Sequence, residues 1–252
     1  MEGTSTVVLV KAFGIKAGNE NGQTPAKLIS HLAKLARLKI DVVSNGIPGL
    51  KGYNERKFRK YEAAFEYLEN ENFAQSHFSI TQRAEKRGDW DVGSSTFSAA
   101  DAEFRVVFPG NNPQSDGRVL PLFRELVQFG AHYAFAMEAE SHHYALCYSY
   151  GGTLSGRMSR QVAENMAILG NARYNGERFV RRVVDVFPLQ VLNEQHLSAT
   201  IRGGTLGAKI ETESWGRLQK MDPDHWLWEL SAADLARARA FLLGSDFILA
   251  KY

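Results

Sequence analysis

The chain has 252 residues, of which 44% are hydrophobic and 23% charged. A chain of this length can bury roughly 70–75% of its unfolded surface, so its core needs no metal or disulfide staple. A formal net charge of +2 gives no electrostatic case for wrapping nucleic acid. The single cysteine, Cys147, excludes an internal disulfide and fits a reducing compartment.

The opening residues do not read as a secretory signal, because the apolar run Val7–Val10 is short and Glu2 precedes it. No stretch approaches the roughly 18 apolar residues of a membrane span. The expected address is the cytoplasm. In chain order, Thr6 to Phe13 predicts a strand. Thr24-Pro25 opens a helix with Leu28, Leu32 and Leu35 on one face. A second helix is expected from Asn54 to Glu69, with Phe58, Tyr61, Phe65 and Leu68 inward. Its first turns carry Arg56, Lys57, Arg59 and Lys60, which oppose the helix macrodipole and form either a solvated face or a patch for an acidic partner.

His77–Thr81 and Glu103–Phe108 alternate as strands do, whereas Arg83 to Ser95 reads as a polar loop. Pro109-Gly-Asn-Asn-Pro113 is a turn cluster, followed by a helix to Phe129. Ala131–Glu140 and His142–Tyr150 are expected to form a hairpin. The alanines of the first arm mark a central strand under a closely packed helix. Ser155 starts a helix with Met158, Val162, Met166 and Leu169 on one stripe. Phe179–Phe187 reads as a strand and Leu189–Leu197 as a short helix. Gly203-Gly204 reads as a turn, and Trp215–Met221 and His225–Leu230 as a strand pair. Ser231-Ala-Ala-Asp234 caps a final helix. These elements predict an α+β fold with a mixed or antiparallel sheet covered by helices. It is either one domain over 1–252 or two tightly packed subdomains with a break near 109–116.

Tests for chemistry return little. No His-Glu-x-x-His or Cys-x-x-Cys frame exists, and no glycine run forms a dinucleotide or phosphate loop. Ser159 and Ser198 lack a nucleophile context. Glu138, Glu140 and His142 lie at period two and would share a strand face, the composition of a metal or acid/base site. Charges solubilising a strand end are the simpler account. On a hairpin, one imidazole of His142-His143 is expected to be exposed. Cys147, inside an apolar run, is expected to be a buried structural thiol. Arg173, Arg178, Arg181 and Arg182 form a second basic cluster, interrupted by Glu177 and Asp185 and expected to pair with acidic neighbours. Trp226 and Trp228 share a strand face and read as core. Trp90, between Asp89 and Asp91 in a polar loop, is the leading candidate for a partner contact.

The run Val183-Val-Asp-Val-Phe-Pro-Leu-Gln-Val-Leu-Asn-Glu-Gln-His-Leu197, then Trp215-Gly-Arg-Leu, Trp226-Leu-Trp228 and a closing helix, resembles the C-terminal half of bacterial immunity proteins. These are the antidotes to polymorphic toxins, including type VI secretion effectors. The resemblance covers roughly residues 181–249 and implies a cytoplasmic protein that binds one toxin and neutralises it without catalysis or a cofactor. The expected toxin contacts are Asp89, Trp90, Asp91, Glu138, Glu140 and His142. No nucleic-acid or membrane partner is expected, and the oligomeric state stays open. The competing readings are a metal-assisted hydrolase using Glu138, Glu140 and His142, with His77 from a neighbouring strand, and a nucleic-acid binder using the 51–60 and 173–182 clusters.

Overall fold

A computed structural model of the chain describes residues 6–15, 24–46, 54–70, 77–83, 93–98, 102–150, 159–172 and 179–250. It is an α+β fold built on one ten-stranded sheet in which every paired neighbour is antiparallel. The strands are β1 (Val7–Phe13), β2 (Val42–Asn45), β3 (Asn54–Lys57), β4 (His77–Gln82), β5 (Gly93–Ser98), β6 (Glu103–Pro109), β7 (Tyr133–Ala139), β8 (Leu189–Asn193), β11 (Arg217–Lys220) and β12 (His225–Glu229). Across the sheet they run β11-β12-β8-β7-β1-β6-β5-β4-β2-β3. The short pair β9 (Thr200–Ile201) and β10 (Gly204–Thr205) forms a separate ribbon around the expected Gly203-Gly204 turn.

Helices cover both faces, and side-chain parity sorts the core into two layers. On β1, Val8, Val10 and Ala12 face α1 (Pro25–Leu35), α2 (Tyr61–Asn70) and α3 (Val119–Gln128). Val7, Leu9 and Phe13 face the layer holding α4 (His142–Tyr150), α5 (Arg160–Ala172), α6 (Glu194–Leu197), α7 (Leu206–Thr212) and α8 (Ala232–Leu242). A strand covered on both faces reads as a near-continuous apolar run, as β1 does. Its one charge, Lys11, is fully buried and donates to Glu103 Oε2 at 2.8 Å and to the Ser149 carbonyl at 2.7 Å. On β7, Ala134 and Ala136 lie in the α3 layer, as their small size predicted.

Five stretches depart from expectation. Gly93–Ser95, read as the end of a polar loop, belong to strand β5, paired on both sides by β4 and β6. His142–Tyr150 is helix α4, so the 131–150 hairpin does not form. The Ser141 hydroxyl accepts the Tyr144 N–H at 3.1 Å, and Lys11 and Arg105 donate to Ser149 in the last turn. Cations at the carboxyl end of a helix match its dipole, and these tertiary contacts override the strand preference of tyrosine and cysteine. Asn54–Lys57 is an exposed strand, and the helix begins only at Tyr61. Phe179–Phe187 is not a sheet strand but an irregular segment tied to the C-terminus by the Val183–Ile248 bridge. Its aromatics seal the second layer instead: Phe179 stacks on Phe13 at 4.1 Å and Phe187 on Phe135 at 4.0 Å. Leu189–Leu197 divides into strand β8 and the single-turn α6.

The Leu-Asn-x-x-His-Leu pattern has a local cause. Asn193 Oδ1 accepts the His196 N–H at 2.9 Å, and His196 Nδ1 accepts the Asn193 N–H at 3.0 Å. This reciprocal capping box ends β8 and starts α6. Nδ1 must therefore be bare, which leaves the proton on Nε2, 3.3 Å from the Arg182 carbonyl. Burial holds the His196 ring neutral, with its pKa lowered to about 4.

Candidate functional site

The register aligns one end of the sheet into a continuous rim. Val7 pairs with Pro109 and with Ala139, Gln82 with Gly93, Val42 with Lys57, and Arg217 with Glu229. Strands β3, β6, β7 and β12 all run toward this end, and each is followed there by a helix: α2, α3, α4 and α8. Nine strand spacings of about 4.8 Å make the rim roughly 43 Å long. Connections that gather at one end of a rigid sheet are the usual place for binding residues.

The described rim loops are pinned. Asp41 accepts the Arg83 backbone N–H at 3.0 Å and its Nε at 2.7 Å. Asp116 accepts from Arg118 Nη2 at 2.7 Å, and that guanidinium holds the Asp116 carboxyl below its ordinary pKa against the opposing effect of burial. Arg118 also donates to the Pro109 carbonyl at 2.6 Å and lies over the Phe108 ring. Gln114 Nε2 donates to the Leu230 carbonyl at 2.7 Å, joining the 110–117 loop to the start of α8. Ser231 caps that helix by accepting the Asp234 N–H at 3.2 Å. Between these two anchors lies a cavity of about 480 Å³ lined by Gln114, Ser214, Gly216, Arg217, Glu229 and Asp234, among others.

Glu138 and Glu140 are exposed on this rim, at the end of β7. Glu138 Oε2 accepts the Asn112 N–H at 3.0 Å, so part of its role is to hold the turn cluster. His142 does not join them on a strand face, because the chain turns into α4 there. Its ring is buried, 5% exposed, with Nε2 2.9 Å from Ser94 Oγ. Burial, reinforced by the neighbouring His143, lowers its pKa to about 4. The expected exposed imidazole is therefore absent from this pair: His142 is buried and His143 half-buried. Cys147 is half-buried and helical, with Sγ 3.6 Å from His143 Nε2, and burial raises its pKa.

Asp89, Trp90 and Asp91 lie outside the described residues, as does the side chain of His77. The segment carrying the first three leaves and rejoins the sheet at the rim, since Gln82 and Gly93 are paired. Among the described residues, no group of three or more His, Cys, Asp or Glu side chains is placed to hold a metal ion. Arg173, Glu177 and Arg178 lie outside the described residues; Asp185 is fully buried and bound to Arg239 Nε at 2.7 Å. Trp228 is fully buried and donates to the Trp215 carbonyl at 2.8 Å. Trp226, on the same strand face, is half-buried beneath Lys220.

Sequence reasoning missed Gln114, Asp116, Arg118 and Gly216. The Pro109–Pro113 turn cluster was the available signal, because Asn and Asp in turns bond their own backbone two residues on. Asn112 and Asp116 both do so, to the N–H groups of Gln114 and Arg118.

No helix among the described residues is long and apolar enough to cross a membrane. No protein-family model and no curated protein matches the chain. Among solved structures, the chain is similar to Pseudomonas aeruginosa T6SS protein PA0821, with a TM-score of 0.58 and 12% sequence identity over 97% of this chain and 77% of that one. At that identity the likeness defines a shared fold.

Proposed function

We propose that the chain is an immunity protein, which binds a cognate secreted bacterial toxin in the cytoplasm and neutralises it without catalysis. The observation that carries this reading is the fold shared with a T6SS protein across nearly the whole chain. The immunity-like order of the C-terminal elements, from β8 and its capping box to the capped α8, supports it independently. The contact we assign is the rim, with Glu138, Glu140 and the Asp89–Asp91 segment facing the toxin; His142, buried against Ser94, is not part of that surface. The described rim loops suit this task, because loops already pinned in the free protein lose little entropy on binding. A metal-hydrolase role for Glu138, Glu140 and His142 has less support, since the imidazole is buried against Ser94.

The test is co-expression with the product of the neighbouring toxin gene. Restored growth and a one-to-one complex on size-exclusion chromatography are expected. Full toxicity with no complex recovered would overturn the reading.

A further inference from the structure

Strand β11 closes the sheet at the edge opposite β3. Among the described residues it pairs only with β12. Arg217, Gln219 and Lys220 are exposed and Leu218 is half-buried. The Met221 N–H bonds the His225 carbonyl at 2.9 Å, which fixes the alternation of the ladder. In an antiparallel pair every second residue bonds the partner strand. Gln219 and Arg217 therefore turn their N–H groups toward β12. Leu218 and Lys220 direct their N–H and carbonyl groups outward from the sheet.

This edge is self-complementary. A two-fold axis through Gln219, perpendicular to the sheet, sets Leu218 opposite Lys220 of a second copy, and Lys220 opposite its Leu218. Directly opposed residues of that kind exchange both main-chain bonds. The charges agree with the same register. The strand is not uniformly basic, because Arg217 stands opposite Glu229 of β12 and Lys220 lies over the Trp226 ring at 5.2 Å. With the axis at Gln219, Arg217 meets Met221, and no charged side chain opposes one of like sign. With the axis at Lys220, two ammonium groups would face each other, which is destabilising. With the axis at Leu218, Lys220 would need to pair with Gly216, which has left the extended region at φ +72°.

The space beside the edge fits as well. A cavity of about 360 Å³ lies on the α7 side of β11, lined by Ile210, Glu211, Leu218, Lys220 and Trp226 among others. We propose that the β11 edge is a homodimer contact, in which a second copy of this chain pairs antiparallel about Gln219 and joins the two ten-stranded sheets into one. Main-chain bonds from Leu218 and Lys220 hold the copies together. Lys220 of each copy, opposite Leu218 of the other, extends over the cavity that carries Glu211. The symmetry makes this ion pair twice. An unrelated strand can use the same main-chain groups; a second copy also brings the cation to Glu211. Because the paired strands run in opposite directions, the two rims lie at opposite ends and both stay open. A toxin complex then keeps its one-to-one ratio at twice the mass.

The test uses the full chain. Sedimentation equilibrium should show a monomer–dimer equilibrium, and hydrogen exchange should show Leu218 and Lys220 gaining protection as concentration rises. Lys220→Pro removes an outward N–H from each copy and leaves the β11–β12 ladder intact, the position where an edge strand tolerates proline. Gln219→Asp sets two carboxylates face to face at the axis. Each should raise the dimer dissociation constant at least about tenfold with an unchanged circular dichroism spectrum. Gln219→Cys tests the register directly, because opposed residues of a non-bonded antiparallel pair lie about 4.5 Å apart at Cα, within disulfide reach. Mild oxidation should cross-link Gln219→Cys into a covalent dimer, and should leave Arg217→Cys and the parent chain, with its half-buried Cys147, uncross-linked.

A chain that stays monomeric at the highest concentration reached would overturn the proposal. So would a dimer that tolerates both Lys220→Pro and Gln219→Asp, or cross-linking at position 217 as efficient as at 219. Protection of Leu218 and Lys220 that arises only with an added protein assigns the edge to another partner and equally overturns it. Should Lys220→Pro fail to fold, Gln219→Asp and Gln219→Cys, both at an exposed side chain, decide the matter. None of these outcomes bears on the immunity reading, which stands or falls on toxin neutralisation.

Discussion

Replacing Asp185 by asparagine tests whether buried polar order holds the second layer together. The carboxylate is fully buried and accepts from four donors. Oδ1 takes the Val186 N–H at 2.8 Å and Arg239 Nε at 2.7 Å. Oδ2 takes Gln161 Nε2 at 2.9 Å and Asn165 Nδ2 at 2.9 Å. Asparagine keeps the shape, but its NH₂ replaces one oxygen, so two accepted bonds become donor–donor contacts. Arg239, with only 14% of its side chain exposed, also loses its counter-charge. Hydrogen bonds to a charged group contribute about 1.5–3 kcal/mol each, so losing two costs roughly 3–6 kcal/mol. For a chain of this size that is a fall in Tm on the order of 10 °C. Urea unfolding followed by tryptophan fluorescence should show the midpoint falling with m unchanged. The exposed Asp246→Asn is the control and should change little. A loss below about 1 kcal/mol for Asp185→Asn would refute the reasoning, since a saturated buried acceptor cannot be removed so cheaply.

Two further outcomes follow from the same kind of argument. Gly216 has φ +72°, and a Cβ there would lie 2.1 Å from the Glu229 carbonyl oxygen, whereas Gly203 has φ +85° with open space around it. Gly216→Ala should therefore cost about 3 kcal/mol and loosen β11 in hydrogen exchange, combining the left-handed penalty with overpacking. Gly203→Ala should cost only about 1 kcal/mol; equal losses would refute the distinction. Stability should also fall with acid through His142 and His196, each lowered by burial to about 4. Their ordinary value is 6.5, so between pH 6.5 and 4 the unfolded chain binds more protons than the folded one. Stability from keeping these rings neutral is complete above pH 6.5 and is lost as pH falls toward 4, about 3 kcal/mol per ring at full loss. Urea midpoints for the parent and His196→Gln at pH 7.5 and 4.5 measure this; identical pH slopes would count against it.

Elements whose signals are local were legible before folding. Thr24-Pro25 capped α1, Ser231 capped α8, and the Trp215–Leu230 strand pair formed where alternation placed it. The capping box at Asn193 and His196 is equally local, since both bonds close within three residues, but reading Leu189–Leu197 as one helix missed it. The site was less legible. Its rim is assembled from connections after strands that are distant in sequence, and pairing register, not spacing, brings them to one end. Glu138 was recognised as a candidate, but not that its carboxylate holds Asn112, 26 residues away.

The sequence by itself determined the α+β class, the caps, the turns and the lack of a recognised catalytic motif, because each depends on residues a few positions apart. Only the tertiary structure decided three other matters. His142–Tyr150 became a helix, since Lys11 and Arg105 hold its last turn. The aromatic-rich 179–187 segment became a seal over the second layer, since Phe13 and Phe135 offer it stacking partners. The basic run at 56–60 came to lie on a sheet edge, since β2 is paired on its other side by β4. In each case a contact from a distant strand outweighed a local preference of similar size.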